Sequence, residues 1–122
     1  MIHITLTGAP RTKKNSPRIY GHKVLPSKAY MEYEEDCGYQ LVRLGLQNAQ
    51  LDGPMNLKAV YYMPTKRRVD LVNLLEATCD ILVHCGVLVD DNCAVIVGHD
   101  GSRVMYDKSN PRVEIELSEL EE

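Results

Sequence analysis

At 122 residues, 44% hydrophobic and 25% charged, the chain is long enough for one core and too apolar to stay disordered, so one domain over 1–122 is expected. No apolar run approaches the roughly 20 residues that span a bilayer, and Met1-Ile2-His3-Ile4-Thr5 carries neither the basic head nor the apolar stretch of a secretion signal. A cytoplasmic protein without a membrane partner is expected. The net charge of −3 would argue against a polyanionic ligand were the charge evenly spread.

It is not evenly spread. Residues 2–7 alternate Ile2, Ile4 and Leu6 with polar neighbours, the pattern of a half-buried strand, and Gly8-Ala9-Pro10 ends it. Between 9 and 26, Pro10, Pro17, Gly21 and Pro26 leave no helical period, so a long loop is expected. That loop and its flank carry Arg11, Lys13, Lys14, Arg18, Lys23 and Lys28 with no acid among them. Such a footprint suits phosphate, although a solvated basic loop is the plainer alternative.

Ser27 is placed to cap a helix over 28–48, with Tyr30, Tyr33, Cys37, Leu41 and Leu44 as its apolar stripe. Glu32, Glu34, Glu35 and Asp36 lie toward its N-terminal end, where the helix dipole favours them. After the Asp52-Gly53-Pro54 turn, residues 55–63 alternate Leu57, Ala59, Tyr61 and Met63 as a second strand. Pro64 breaks it. A helix over 71–84 presents Leu71, Leu74, Leu75, Thr78, Cys79 and Leu82, and Gly86 is placed to end it.

Residues 94–97 predict a strand, Asp100-Gly101 a hairpin turn, and 103–106 the returning strand. A last strand follows over 112–117 through Val113, Ile115 and Leu117. These elements add up to an α+β domain: a small mixed, mostly antiparallel sheet with two main helices over one face. The cysteines (Cys37, Cys79, Cys85, Cys93) form no Cys-x-x-Cys pair, and His84-Cys85 with Cys93 and His99 fits no common zinc spacing. Reduced, mostly core thiols are expected.

The chemistry concentrates between 66 and 92. Lys66, Arg67 and Arg68 run into Asp70 at a predicted helix start, and Asp90-Asp91-Asn92 follows beyond the helix. Carboxylates held together repel unless a cation sits between them, and hard oxygen donors favour Mg²⁺. Acids beside bases are what metal-assisted phosphodiester hydrolysis needs. Capping alone would also account for Asp70, and an ordinary turn for Asp90-Asp91-Asn92.

The segment 66–95 resembles the signature of RusA-like Holliday junction resolvases: bases, then Asp-Leu-Asp-Asn-Leu opening a helix, a Gly turn, and Asp-Asp before a strand. Here these are Arg67-Arg68-Val69, Asp70-Leu71-Val72-Asn73-Leu74, Gly86 and Asp90-Asp91. The Pro-containing basic loop from Ala9 to Arg18 and the final strand fit the same pattern, so the resemblance spans nearly the whole chain. It implies a homodimer that binds branched DNA, a four-way junction, and nicks two strands symmetrically with Mg²⁺ (Mn²⁺ able to substitute), serving DNA recombination and repair. By position, Asp70, Asp90 and Asp91 would be the metal-binding acids, meeting in space, with Asn73 in support. Lys13, Lys14, Asn15, Arg18, Lys66, Arg67 and Arg68 would contact DNA.

Two positions depart from the pattern. The second motif acid is Val72, and the basic residue expected in the next helical turn is Glu76. Four residues apart, they share a helix face. Glu76 is either a catalytic replacement for the missing acid or a solvated helix glutamate. In the latter case the chain could be a catalytically impaired branched-DNA-binding protein of the same fold.

Overall fold

The structure, a computed structural model, describes residues 1–13 and 18–120, with the backbone alone for 18–20, 23 and 24. In chain order the elements are β1 (Ile2–Thr7), β2 (Arg18–Tyr20), β3 (Lys23–Leu25), α1 (Lys28–Arg43), β4 (Met55–Met63), α2 (Leu71–His84), β5 (Ile96–Gly98), β6 (Arg103–Tyr106) and β7 (Arg112–Glu119). The main sheet runs β1-β7-β4-β5, with β6 also on β4, and β2 pairs with β3 separately. This mixed sheet with two helices is the α+β fold that the hydrophobic periods predict.

The register explains the core. β7 lies antiparallel between β1 and β4, aligning Ile4 with Ile115 and Leu6 with Val113 on one side, and Ala59 with Ile115 and Tyr61 with Val113 on the other. All of these point to one face, which Cys37 and Leu41 of α1 and Leu74, Ile81 and Leu82 of α2 cover. A buried leucine such as Leu57 contributes roughly 1.5–3 kcal/mol through the area it removes from water. The opposite face is wet: His3 and Lys58 both reach Glu116, at 3.5 Å and 3.7 Å.

Both helices end in the same way. Gly45 and Gly86 take left-handed φ values of 73° and 74°. The Gly45 amide donates to the Val42 carbonyl and the Leu46 amide to Leu41, each at 3.0 Å, closing the last turn of α1. Gly86 to Val83 and Val87 to Leu82 repeat the pattern on α2. The helix expected over 28–48 therefore stops at Arg43, because Gly45 offers a left-handed exit that the apolar stripe hides. At Gly86 a Cβ would also lie 2.6 Å from Asn48 Oδ1, so that side chain would have to move to admit one.

Two further expectations are corrected. The segment 9–26 is not wholly loop: β2 and β3 pair antiparallel around Gly21 and His22, with Tyr20 opposite Lys23. Strands of three residues are too short for alternation to show. Nor are β5 and β6 a hairpin. Both run parallel to β4, β5 at Met55 and Asn56, and β6 at 60–63. With β7 filling one edge of β4, they share the other edge as one interrupted border.

Side chains close the interruption. His99 Nδ1 donates to the Leu57 carbonyl at 2.9 Å, the Ala59 amide donates to Ser102 Oγ at 3.0 Å, and Asn56 exchanges two hydrogen bonds with the Asp100 backbone. The Asp100-Gly101 signal thus marks a turn that interrupts a parallel border. Among the described residues no helix is long and apolar enough to cross a membrane.

Candidate active site and nucleic-acid interface

Pro64 ends β4, and the chain turns through Thr65 to Val69 before α2 begins. That turn stands beside the exit of β1. Together they form a cleft of about 550 Å³ lined by Ala9, Pro10, Arg11, Thr12, Met63, Pro64, Thr65, Arg67, Arg68 and Val69. Two basic segments more than fifty residues apart in sequence thus meet at one end of the sheet. Arg11, Arg67 and Arg68 are exposed, whereas Thr12 is buried and fixes the wall. Planar guanidinium groups in a polar cleft suit phosphate, which they bind through paired N–H donors.

Lys66 lies outside this cleft. Its ammonium sits 5.2 Å from the centroid of the exposed Tyr106 ring. β6 brings Tyr106 there by pairing it with Met63. Lys14 and Asn15 lie outside the described residues, and Arg18 contributes only its β2 backbone to the description. Lys13 is half-buried, with its ammonium 2.8 Å from Asp80 Oδ2 and 5.9 Å from the Tyr30 ring centroid.

Asp70 is the N-cap of α2, its Oδ1 accepting from the Val72 amide at 3.0 Å. It shares a shallow depression with Arg68, Val69 and Leu71. Val72 is 69% exposed, so nothing in the packing asks for its apolar side chain. Asn73 is half-buried and Glu76 exposed on the same helix.

The second acidic pair divides its work. Asp90 accepts from the Asp91 amide at 2.7 Å through Oδ1 and from Asn92 Nδ2 at 2.9 Å through Oδ2. Asp90 therefore builds the turn. Asp91 is exposed and lines a depression of about 300 Å³ with Lys13, Glu34, Asp80, Val83 and His84. Burial pushes the neighbouring Cys79 thiol up to about 12, and the charges of Asp91 and Asp80 add to the rise.

Asp70 and Asp91 thus line separate depressions at different levels of α2. At 1.5 Å per residue, Asp80 lies about 15 Å along the axis from Asp70. Among the described residues no three His, Cys, Asp or Glu side chains group to hold a metal ion. In donor chemistry the carboxylates of Asp70 and Asp91 suit a hard cation such as Mg²⁺.

Asp80 and Arg11 are the positions that sequence patterning passed over. Asp80 reads as one more polar residue on a helix, and Arg11 as one cation among six; only the folded contacts single them out. A family model for endodeoxyribonuclease RusA matches residues 4–118. No curated protein matches the chain. The matched span takes in the arginine cleft, the cap of α2 and the Asp90-Asp91 turn alike, and the chain belongs to the RusA endodeoxyribonuclease family, a family of Holliday junction endonucleases.

Proposed function

We propose that this chain is a structure-specific endodeoxyribonuclease that resolves four-way DNA junctions by paired symmetric nicks, acting as a Mg²⁺-dependent homodimer in the cytoplasm. The observation that carries the reading is the cleft in which Arg11 joins Arg67 and Arg68 beside the Asp70 cap. Arginines there hold backbone phosphates and fix the register of the duplex, while the acids of α2 and the following turn stand near the strand to be cut. A junction is close to two-fold symmetric, so a dimer presents two matched sites to its paired strands.

Asp70 and Asp91 are the acids assigned to catalysis, Asp90 shapes the turn that presents Asp91, and Asn73 supports the start of α2. Magnesium belongs to this reading through the carboxylate donor chemistry; when bound, it would polarise the phosphate and activate water. Lys66 beside Tyr106, with Lys14, Asn15 and Arg18, extends the DNA contact from the cleft.

Val72, Glu76 and the lack of a three-ligand group among the described residues of one chain favour a second reading, junction binding without cleavage. One assay separates them: nicking of a synthetic four-way junction in Mg²⁺ or Mn²⁺, beside binding in EDTA. The nuclease reading expects symmetric nicks that vanish in Asp70→Asn and Asp91→Asn while binding persists. Tight binding with intact strands in both metals establishes the binding protein instead.

A further inference from the structure

The ion pair between Lys13 and Asp80 joins two parts of the molecule that sequence holds far apart. Lys13 closes the described stretch after β1, just beyond buried Pro10 and Thr12. Asp80 stands in the second half of α2, in the depression that also receives Asp91, Glu34 and His84. An ammonium 2.8 Å from Asp80 Oδ2 already has a carboxylate balancing its charge, and it would have to share that charge with a phosphate. The Tyr30 hydroxyl below donates to Glu34 Oε2 at 3.4 Å, so the wall around the pair is itself fixed. Burial raises the Tyr30 hydroxyl pKa, and the charges of Glu34 and Asp80 raise it further, which places Asp80 against the same wall.

We infer that Asp80 is a positioning residue: by holding Lys13 it ties the segment that follows β1 to α2 beside Asp91, and so sets where Arg11, two residues before the anchor, meets DNA. Lys13 is then an anchor rather than a phosphate contact. This rests on the junction-binding reading, and it reverses what simple charge counting expects. An acid near a polyanion repels it, so removing Asp80 should tighten binding if the residue acts only through its charge. As an anchor, its loss weakens binding.

The test uses the intact protein and a synthetic four-way junction in EDTA. Asp80→Asn is expected to weaken binding about tenfold and to flatten the salt slope by about one unit, as the phosphate contact of Arg11 is lost. Asp80→Glu keeps the charge and is expected to stay near wild type. Lys13→Asp combined with Asp80→Lys restores the pair with reversed polarity and should recover most of the affinity; a Lys13 that touched phosphate directly would not be rescued in this way. A second readout needs no DNA. Trypsin must extract the Lys13 side chain to cut after it, so cleavage there is expected to accelerate in Asp80→Asn without a matching fall in thermal midpoint. Unchanged or tighter binding by Asp80→Asn, with unchanged proteolysis, overturns the anchor. A wild-type protein with no affinity for junctions removes the DNA reading instead, and the proteolysis still reports whether Asp80 holds Lys13.

Discussion

The hydroxyls of Tyr61 and Thr78 lie 2.7 Å apart in the buried layer between β4 and α2. Thr78 donates its single proton to the Leu74 carbonyl at 3.0 Å, so Tyr61 is the donor to Thr78. The order of damage follows. Tyr61→Phe deletes the donor and leaves Thr78 satisfied, costing about 1 kcal/mol; Thr78→Val strands a buried phenol and costs roughly 1–3 kcal/mol. Denaturant unfolding of the two variants checks this, and a reversed order would mean the proton runs the other way.

Asp70 carries two duties that substitution can separate. Asparagine caps a helix about as well as aspartate, so Asp70→Asn should leave stability within a few tenths of a kcal/mol, while Asp70→Ala loses about 1 kcal/mol. Junction nicking is expected to disappear in both. Nicking that tracks stability alone would reduce Asp70 to its cap.

The arginine cleft makes a prediction about salt. Arg11→Ala is expected to weaken junction binding and to lower the slope of log affinity against log salt by about 0.9, one phosphate contact. Arg67→Ala should do the same, and the pair together about twice as much. Equal slopes in all variants would place the backbone elsewhere.

The position that lost its acid can be given one back. Val72 is exposed on the first turn of α2, so Val72→Asp should fold normally. Alone or with Glu76→Lys it is expected to raise the nicking rate, by up to about a hundredfold, the scale on which groups supporting a metal site change activity. A rise with Val72→Asp that requires Glu76 to be kept would assign Glu76 to the catalytic set.

The thiols predict an alkaline limit. Burial raises Cys37 and Cys79 from an ordinary 9.0 to about 12. A group raised in the folded state releases its proton first in the unfolded chain. Its contribution is therefore complete below pH 9 and is lost as pH climbs toward 12. Buried Tyr30 and Tyr61 shift in the same direction. The thermal midpoint should fall steadily over that window, and at pH 8 exposed Cys93 should alkylate long before Cys37 or Cys79.

Periods carried most of the fold. α2 could be drawn over 71–84 because its apolar spacing, its Asp70 cap and its Gly86 stop all agree. The border of β5 and β6 could not, because Asp100-Gly101 suits a hairpin equally well, and the choice is made by side chains of His99 and Ser102 that pair with β4. The site divides likewise. The nature of its residues was legible from the motif, but their grouping was not: Asp90 spends both oxygens on its own turn, Lys13 is claimed by Asp80, and Arg11 finds Arg67 and Arg68 only through the return of the chain. Pairings made across the fold leave no period to read.

Since imidazole and hydroxyl groups plug the gap along that border, the two margins of the sheet invite strangers unequally. An incoming strand would find on one side only runs of three and four residues, and on the other the run of β1 up to Thr7, whose amide and carbonyl the Gln40 side chain already holds. Augmentation or the first step of aggregation therefore belongs to Ile2–Leu6, and a lysine at exposed Thr5 is the economical way to discourage it.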